Sequence, residues 1–466
     1  MTTTRIARNL VRLVGLSVAA AGLTLALPHA EATAAGGRTF YLSPSGSDAN
    51  SGTDADHPFQ SLERVSDGFL QPGDTVLLQR GAAFSGKLGL WNSGTASQRI
   101  TVATYGSGAK PTITGDCVWV GASYVTLQDF HVTNCNTDGI WSDGTDNVIT
   151  GVEASHNIQG IEIGEHAKNN KVLRSYLHHN DKMWPNTPGE FDDSGAVGMV
   201  VSGDNTEVAY NTITDNIAPS VDFGTDGGAV EIYGGIGSMV HHNIATNNRV
   251  FSELGNPRSA NNTFAYNQVT SSLEESEFLI TRGAEDYFGP VQGTVAVNNS
   301  VKLTGSKSIG FVCYAGCTTS MFSLSNNVLD VAGMIGNLEG SMSGGDNVYW
   351  RGSTSNIKMM PGDRYVDPKF KGSRLVPSAK SPLIDAGRNG SIKKDLGGRK
   401  VGVDGNGDGK RGTDIGAYEA KSKKGKKSKG GGKGHGGKGK GNGGKGNGNN
   451  AHHNNGGQRV AATRLS

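Results

Sequence analysis

The sequence predicts an all-β protein built as one parallel β-helix, a solenoid with an N-terminal cap and a basic C-terminal tail. Three observations carry this expectation: an excess of glycine, a β segment that keeps returning with an asparagine at its end, and a second apolar strand that recurs between those asparagines. The chain has 466 residues and 71 Gly, 15 of them beyond residue 420. The rest of the chain is therefore about 13% Gly against a usual ~7%. With 35% hydrophobic and 7% aromatic residues, it is too polar and turn-rich for a helical bundle. No internal stretch approaches the roughly 18 consecutive apolar residues of a membrane helix, which excludes a channel or transporter.

The first element, residues 1–34, reads as a secretory signal. Arg5, Arg8 and Arg12 precede an apolar run from Leu13 to Leu27, and small residues follow around Ala32-Thr33-Ala34. That run is short for a span, so export is expected, with no membrane span in the mature chain. In an exported protein the four cysteines can pair, and two local pairs are expected, Cys117 with Cys135 and Cys313 with Cys317. Residues 35–116 form the cap and first coils, with helix confined to Ser61–Phe69.

Residues 117–350 carry the repeats. A short β segment ends in Asn at positions 134, 157, 180, 211, 243, 267, 299 and 327, with spacings of 23, 23, 31, 32, 24, 32 and 28. A base period near 23 suits one coil of three short strands, and the asparagines are expected to stack in a single ladder. Between them recurs GIWSDG, GIEIGE, GAVGMVVSG, AVEIYGG, VFSELG, FLITRG, GFVCYAG and MIGNLEG, the same strand in eight coils. Alternation sends Ile161, Ile163, Val230, Ile232 and Leu254 inward, and Glu162, Glu231 and Glu253 outward. Glu231 and Glu253 then sit on adjacent coils about 4.8 Å apart. Such a pair is costly unless a metal, an Arg or a shared proton compensates, and Arg282 of the next coil is the candidate.

The long spacings mark inserted loops, expected just before this strand. They hold Lys182 and Trp184, then Asp192 and Asp193; Asp222 and Asp226; and Asp286 and Tyr287. Insertions on one side of a solenoid wall a groove, and acids with aromatics suit a carbohydrate there. Of the histidines beside ladder asparagines, His178, His179, His241 and His242, a turn role is expected first and chemistry second.

Residues 351–420 form a closing segment. Within it Asp404, Asn406 and Asp408 have the spacing of a calcium loop, with Asp414 as a later acid and Ile415 where an EF-hand needs Glu. A partial calcium loop and a plain Gly-rich turn are both open. Residues 421–466 carry ten Lys, two Arg and no acid, while the body from 35 to 420 has a net charge of −12 behind the overall +2. The tail cannot bury a core and is expected to be disordered. As a polycation it suits anionic cell-wall polymers, with no specific nucleic acid reading, on a protein expected to be a monomer.

Residues 39–420 resemble the pectate-lyase-like superfamily of secreted right-handed parallel β-helix proteins. The resemblance rests on Tyr41-Leu42-Ser43-Pro44-Ser45-Gly46, Asn50-Ser51-Gly52-Thr53, Pro72-Gly73-Asp74-Thr75-Val76, Ser381-Pro382-Leu383-Ile384-Asp385-Ala386-Gly387 and Asp414-Ile415-Gly416-Ala417-Tyr418-Glu419. It implies an acidic polysaccharide cleaved by β-elimination. Arg282, or calcium held by Glu231, Glu253, Asp226 and Asp222, would neutralise the uronate, and Lys182, His179 or Tyr233 would take the proton. Two further readings stand beside it: a glycoside hydrolase using a carboxylate pair from Glu231, Glu253, Asp226, Asp192 and Asp193, and a non-catalytic wall-binding protein. Glu162, Asp192, Asp193, Asp222, Trp184 and Tyr287 are expected to line the groove.

Overall fold

A computed structural model describes residues 36–421 apart from Glu190. The signal and tail segments lie outside these residues. Each coil places three short strands on three faces. The first face is a 12-stranded parallel sheet running from Thr39–Leu42 to Ser343–Gly345. The second runs from the start of Ala83–Leu90 to Arg364–Tyr365, and the third from the end of Ala83–Leu90 to the end of Val328–Gly340. The third-face strands are those expected from the Gly-bounded repeat, in parallel register that shifts only in the last pairing, between Cys313 and Cys317.

Alternation builds the core as stacks of like side chains. On the first face Val76, Val102, Leu127, Ile149, Val172, Val208, Val240, Phe264, Ala296 and Leu324 follow one another coil by coil. All are buried, as are Ile161, Ile163, Val230, Ile232 and Leu254 on the third face. A single coil has little core of its own, so its apolar side is hidden only by its neighbours. At the N-terminal end Phe59, Leu62, Val65 and Leu70 close the core. The helix expected there is one 3₁₀ turn, Glu63–Val65.

The corners correct the sequence reading. Asparagine ladders stand at three corners, not one. Between the first and second faces, Asn211, Asn243, Asn267, Asn299, Asn327 and Asn347 each accept the backbone N–H of the ladder residue one coil back, at 2.9–3.0 Å. Between the second and third faces the ladder is Asn157, Asn180, Asn216 and Asn248. Between the third and first faces, Asn147, Asn170 and Asn262 do the same work. The step from Asn180 to Asn211 therefore changes corner, and the true partner of Asn180 is Asn216. Asn134 is not a ladder residue. It has φ 53°, and Cys135 fills the ladder position after it. Most ladder residues follow a left-handed residue, as with His179 (φ 49°) and His242 (φ 55°). Asn and Asp adopt that conformation most readily, which is why Asn also appears one place early.

Both disulfides form as expected, with Cα–Cα distances of 5.8 Å for Cys117–Cys135 and 6.2 Å for Cys313–Cys317. The closing segment folds back along the first ladder. Tyr418 Oη donates to Gln268 Oε1 (2.8 Å), Ala417 N–H to Ser300 Oγ (2.9 Å), and Asn298 Nδ2 to the Asp414 carbonyl (2.9 Å). No helix among the described residues is long and apolar enough to cross a membrane.

Candidate functional site

Outward residues of the third face form one column: Trp119, Trp141, Glu162, Val200, Glu231, Glu253 and Ile280 lie side by side in register. Glu231 and Glu253 are direct neighbours, as the repeat predicted. Arg282 ion-pairs with Glu253 and reaches Asp286 at 3.7 Å. Its guanidinium carbon lies 4.9 Å from the ring of Tyr314 and 5.6 Å from that of Phe288, so the charge is clamped between aromatic rings. Burial, then the charges of Glu253 and Asp226, push Glu231 up to about 8, with Arg282 pulling the other way. Glu231 thus holds its proton at neutral pH beside Glu253, which is bound by Arg282.

Asp226 borders the pair on a small hairpin of Ala218–Ser220 and Gly224–Asp226. Burial raises it to about 6 although it accepts the Gly227 N–H at 2.7 Å. A second ion-paired group, missed in the sequence, flanks it. Arg249 binds Glu275 at 2.6 Å and the buried Glu277 at 3.4 Å. Burial raises Glu277 too. Arg249 stands at a corner and Glu277 opens a strand, so neither shares the repeat phase that exposed Glu231 and Glu253.

Tyr233 is exposed and lies flat across the next coil: a Cβ on Gly255 would sit 3.3 Å from its ring. It lines a cleft of about 370 Å³ that continues past Glu162 to Trp141. Glu162 has a second acid beside it: Asp138, unremarked in the sequence, is pushed up to about 8 by burial and then by Glu162.

The other expected residues are not gathered here. Lys182 Nζ turns back two coils to the Cys135 carbonyl (3.1 Å). His179 is a corner residue, its Nδ1 3.0 Å from that of His178. Asp193 is buried; it accepts Ser220 Oγ–H (2.6 Å), Asp222 N–H (2.9 Å) and Thr187 N–H (2.8 Å). Asp222 accepts the N–H groups of Gly189 and Phe191, both at 2.7 Å. These acids clasp two loops together at the second-to-third corner. Trp184 and Tyr287 project from loops, 74% and 91% exposed. The loop of Asp286 and Tyr287 follows its third-face strand instead of preceding it, so the insertions flank the face on both edges.

Among the described residues, the groups whose ligand atoms all lie within 4.8 Å of one another are Asp192–Asp193–Asp222 and His131–Glu153–His178. These carboxylates are close enough to hold a metal. The set of Glu231, Glu253, Asp226 and Asp222 is not among them, and both oxygens of Asp193 and of Asp222 already accept hydrogens. The residues at the Glu231 cluster do not fit calcium, since arginine supplies the positive charge. In the closing segment Asp404 closes its own turn on Gly407 N–H (2.6 Å) and Gly409 N–H (2.9 Å). Asn406 and Asp408 accept the N–H groups of Asp408 and Lys410, each at 2.8 Å. Asp414 is turned away, to Asp385 N–H and Ala420 N–H.

Residues 40–193 match the family model of the Pel9A-like right-handed beta helix region. Among solved structures, pectate lyase Pel9A superposes with a TM-score of 0.53 at 16% identity, covering 83% of this chain and 97% of that one. XylC in complex with xylose superposes at 0.50 and 11% identity, covering 82% and 98%. A lacto-N-biosidase of Bifidobacterium longum subsp. longum is 32% identical over 140 residues, a match spanning 23% of this chain and 9% of that enzyme. The chain is a right-handed parallel β-helix protein, and its residues 40–193 match the Pel9A-like right-handed beta helix region.

Proposed function

We propose that the protein hydrolyses glycosidic bonds of a polysaccharide on its third face, with Glu231 as general acid and Glu253 as nucleophile. The observation that carries this reading is the protonated Glu231 in register with a Glu253 bound by Arg282. Two neighbouring carboxyls in unlike surroundings, one raised by burial among acids and one bound by arginine, suit acid and nucleophile roles. Glu231 gives its proton to the leaving glycosidic oxygen while the Glu253 carboxylate attacks the anomeric carbon and forms a glycosyl ester. Water then attacks that carbon, Glu231 takes the proton, and Glu253 is released. The coil spacing of about 4.8 Å suits a close pair, and retaining enzymes hold theirs about 5–5.5 Å apart. The similar proteins, a pectate lyase, a lacto-N-biosidase and a protein solved with xylose, support a carbohydrate substrate.

β-Elimination is the second reading. It is favoured by the placement of Arg282 and Tyr233 on one face, as neutraliser and base. Against it, the site carries Glu231, Glu253, Asp226, Glu275, Glu277 and Asp286 beside only two arginines, a poor field for a uronate anion. A polysaccharide panel with and without chelator separates the readings. Hydrolysis yields new reducing ends that do not absorb in the ultraviolet, unaffected by chelator. Unsaturated absorbing ends, or calcium-dependent cleavage, would favour elimination, and retention without cleavage would favour a binding protein. Export belongs to the same proposal: two formed disulfides support an oxidising compartment. The basic tail would hold the enzyme on anionic wall polymers, a role checked by salt-sensitive retention of full-length against truncated protein.

A further inference from the structure

Three of the five tryptophans of the chain gather on the first coils of the third face. Trp119 and Trp141 are register neighbours with ring centroids 5.4 Å apart, and Trp91 lies 6.5 Å from Trp141. Gly121 makes room for this, since a Cβ there would stand 2.5 Å from the Trp91 ring. Two of the indoles are anchored: Trp91 Nε1 donates to Asp67 (3.0 Å) and Trp119 Nε1 to the Asp116 carbonyl (2.7 Å). Lys87 covers part of their rings, 5.2 Å from that of Trp119. Trp91 stays 45% exposed. A core role does not explain indoles on the outward side of a sheet. Trp141 opens the cleft that runs past Glu162 to Tyr233, two residues from Glu231.

We propose that Trp119 and Trp141, with Trp91 beside them, form a stacking subsite for a neutral sugar ring of the same polysaccharide chain, which lies along the solenoid axis. This rests on the third face being the catalytic one. From Trp119 to Glu231 are four coil steps of about 4.8 Å, roughly 19 Å, or about four hexose units. The apolar C–H face of a pyranose packs on an indole, while carboxyls beside it bind hydroxyls. Asp138 and Glu162 supply those carboxyls. The cations of the cleft are engaged: Arg258 with Asp204 at 2.7 Å, and His166 with Asp143 at 2.8 Å. Lys87 is packed on the rings of Trp91 and Trp119, and the acids Asp138 and Glu162 beside the indoles oppose a uronate carboxylate, so the ring is neutral.

The test is a titration of full-length Glu231→Gln protein, which prevents turnover, with cellohexaose, xylohexaose, hexagalacturonate and the corresponding dimers. Indole fluorescence and calorimetry are the readouts. The inference expects a neutral hexamer to perturb the fluorescence and bind at least roughly tenfold tighter than its dimer. In the added Trp141→Ala background the perturbation and the length preference disappear, and Trp141→Tyr restores part of both. Equal hexamer binding in the Trp141→Ala protein, a response to hexagalacturonate alone, or no response to any probe would overturn it. Failure of the active-site reading looks different: Glu231→Gln would then keep full turnover whatever Trp141 does to binding.

Discussion

Glu231 is a costly residue. Its carboxyl is surrounded by protein and by other acids, and it holds its proton into the mildly alkaline range. In the proposed role of general acid it would fix the alkaline limb of the rate profile: kcat/KM should fall as pH rises through about 8. Arg282 sets where that limb lies. Its positive charge favours the carboxylate form of Glu231, so Arg282→Ala should move that limb to higher pH while lowering the maximum. An unmoved profile in that variant would mean that the arginine does not face the reacting acids. The Gln variant also has a stability signature. Ionising Glu231 opposes folding, so Glu231→Gln should raise the melting temperature by a few degrees at pH 9 and change it little at pH 5.

The elements show which parts of the sequence were legible. The third-face strands were readable because glycine bounds them and apolar residues alternate inside them. Ile161, Val230 and Glu231 therefore fell on their correct sides from the sequence alone. The corners were misread because an asparagine names no corner: Asn180 and Asn211 belong to different ladders, and Asn134 supplies a left-handed backbone, not a ladder amide. The charged partners Arg249, Glu277 and Asp138, and the row of Trp91, Trp119 and Trp141, carry no motif. Only the stacking of coils brings them together. The corrected ladder predicts a contrast in urea unfolding. Asn243 accepts the Asn211 N–H and donates to the Val208 carbonyl and to Asn267. Asn243→Ala should cost about 2–4 kcal/mol through the groups it orphans. Asn134→Gly should cost almost nothing, since glycine adopts positive φ freely.

At the scale of the whole molecule the solenoid stores acids it cannot easily ionise. Glu231, Asp138 and the latch residue Glu419 are each pushed up to about 8, chiefly by burial. A carboxyl with a raised folded-state pKa contributes stability below its unfolded value near ~4, and this is lost as pH rises towards the folded value. The half-buried His131 and His178 and the buried His241 and His242 are depressed by burial and act oppositely, costing stability as pH falls below their unfolded value near ~6.5. Above that value only the acids still titrate, so the melting temperature should fall steadily from pH 6.5 to 8.5. A flat or rising curve across that window would show that the acids are not held protonated.

The third face claims one residue above all others, and the most direct measurement is turnover by the Glu231→Gln protein on whichever polysaccharide the wild type cleaves, with binding measured alongside. The account predicts a fall in kcat of about 10²–10⁴, with polymer affinity retained and a fold at least as stable as the parent. Full turnover by this variant would contradict it, and would leave the column of acids as a solvated flank of the β-helix with the chemistry elsewhere.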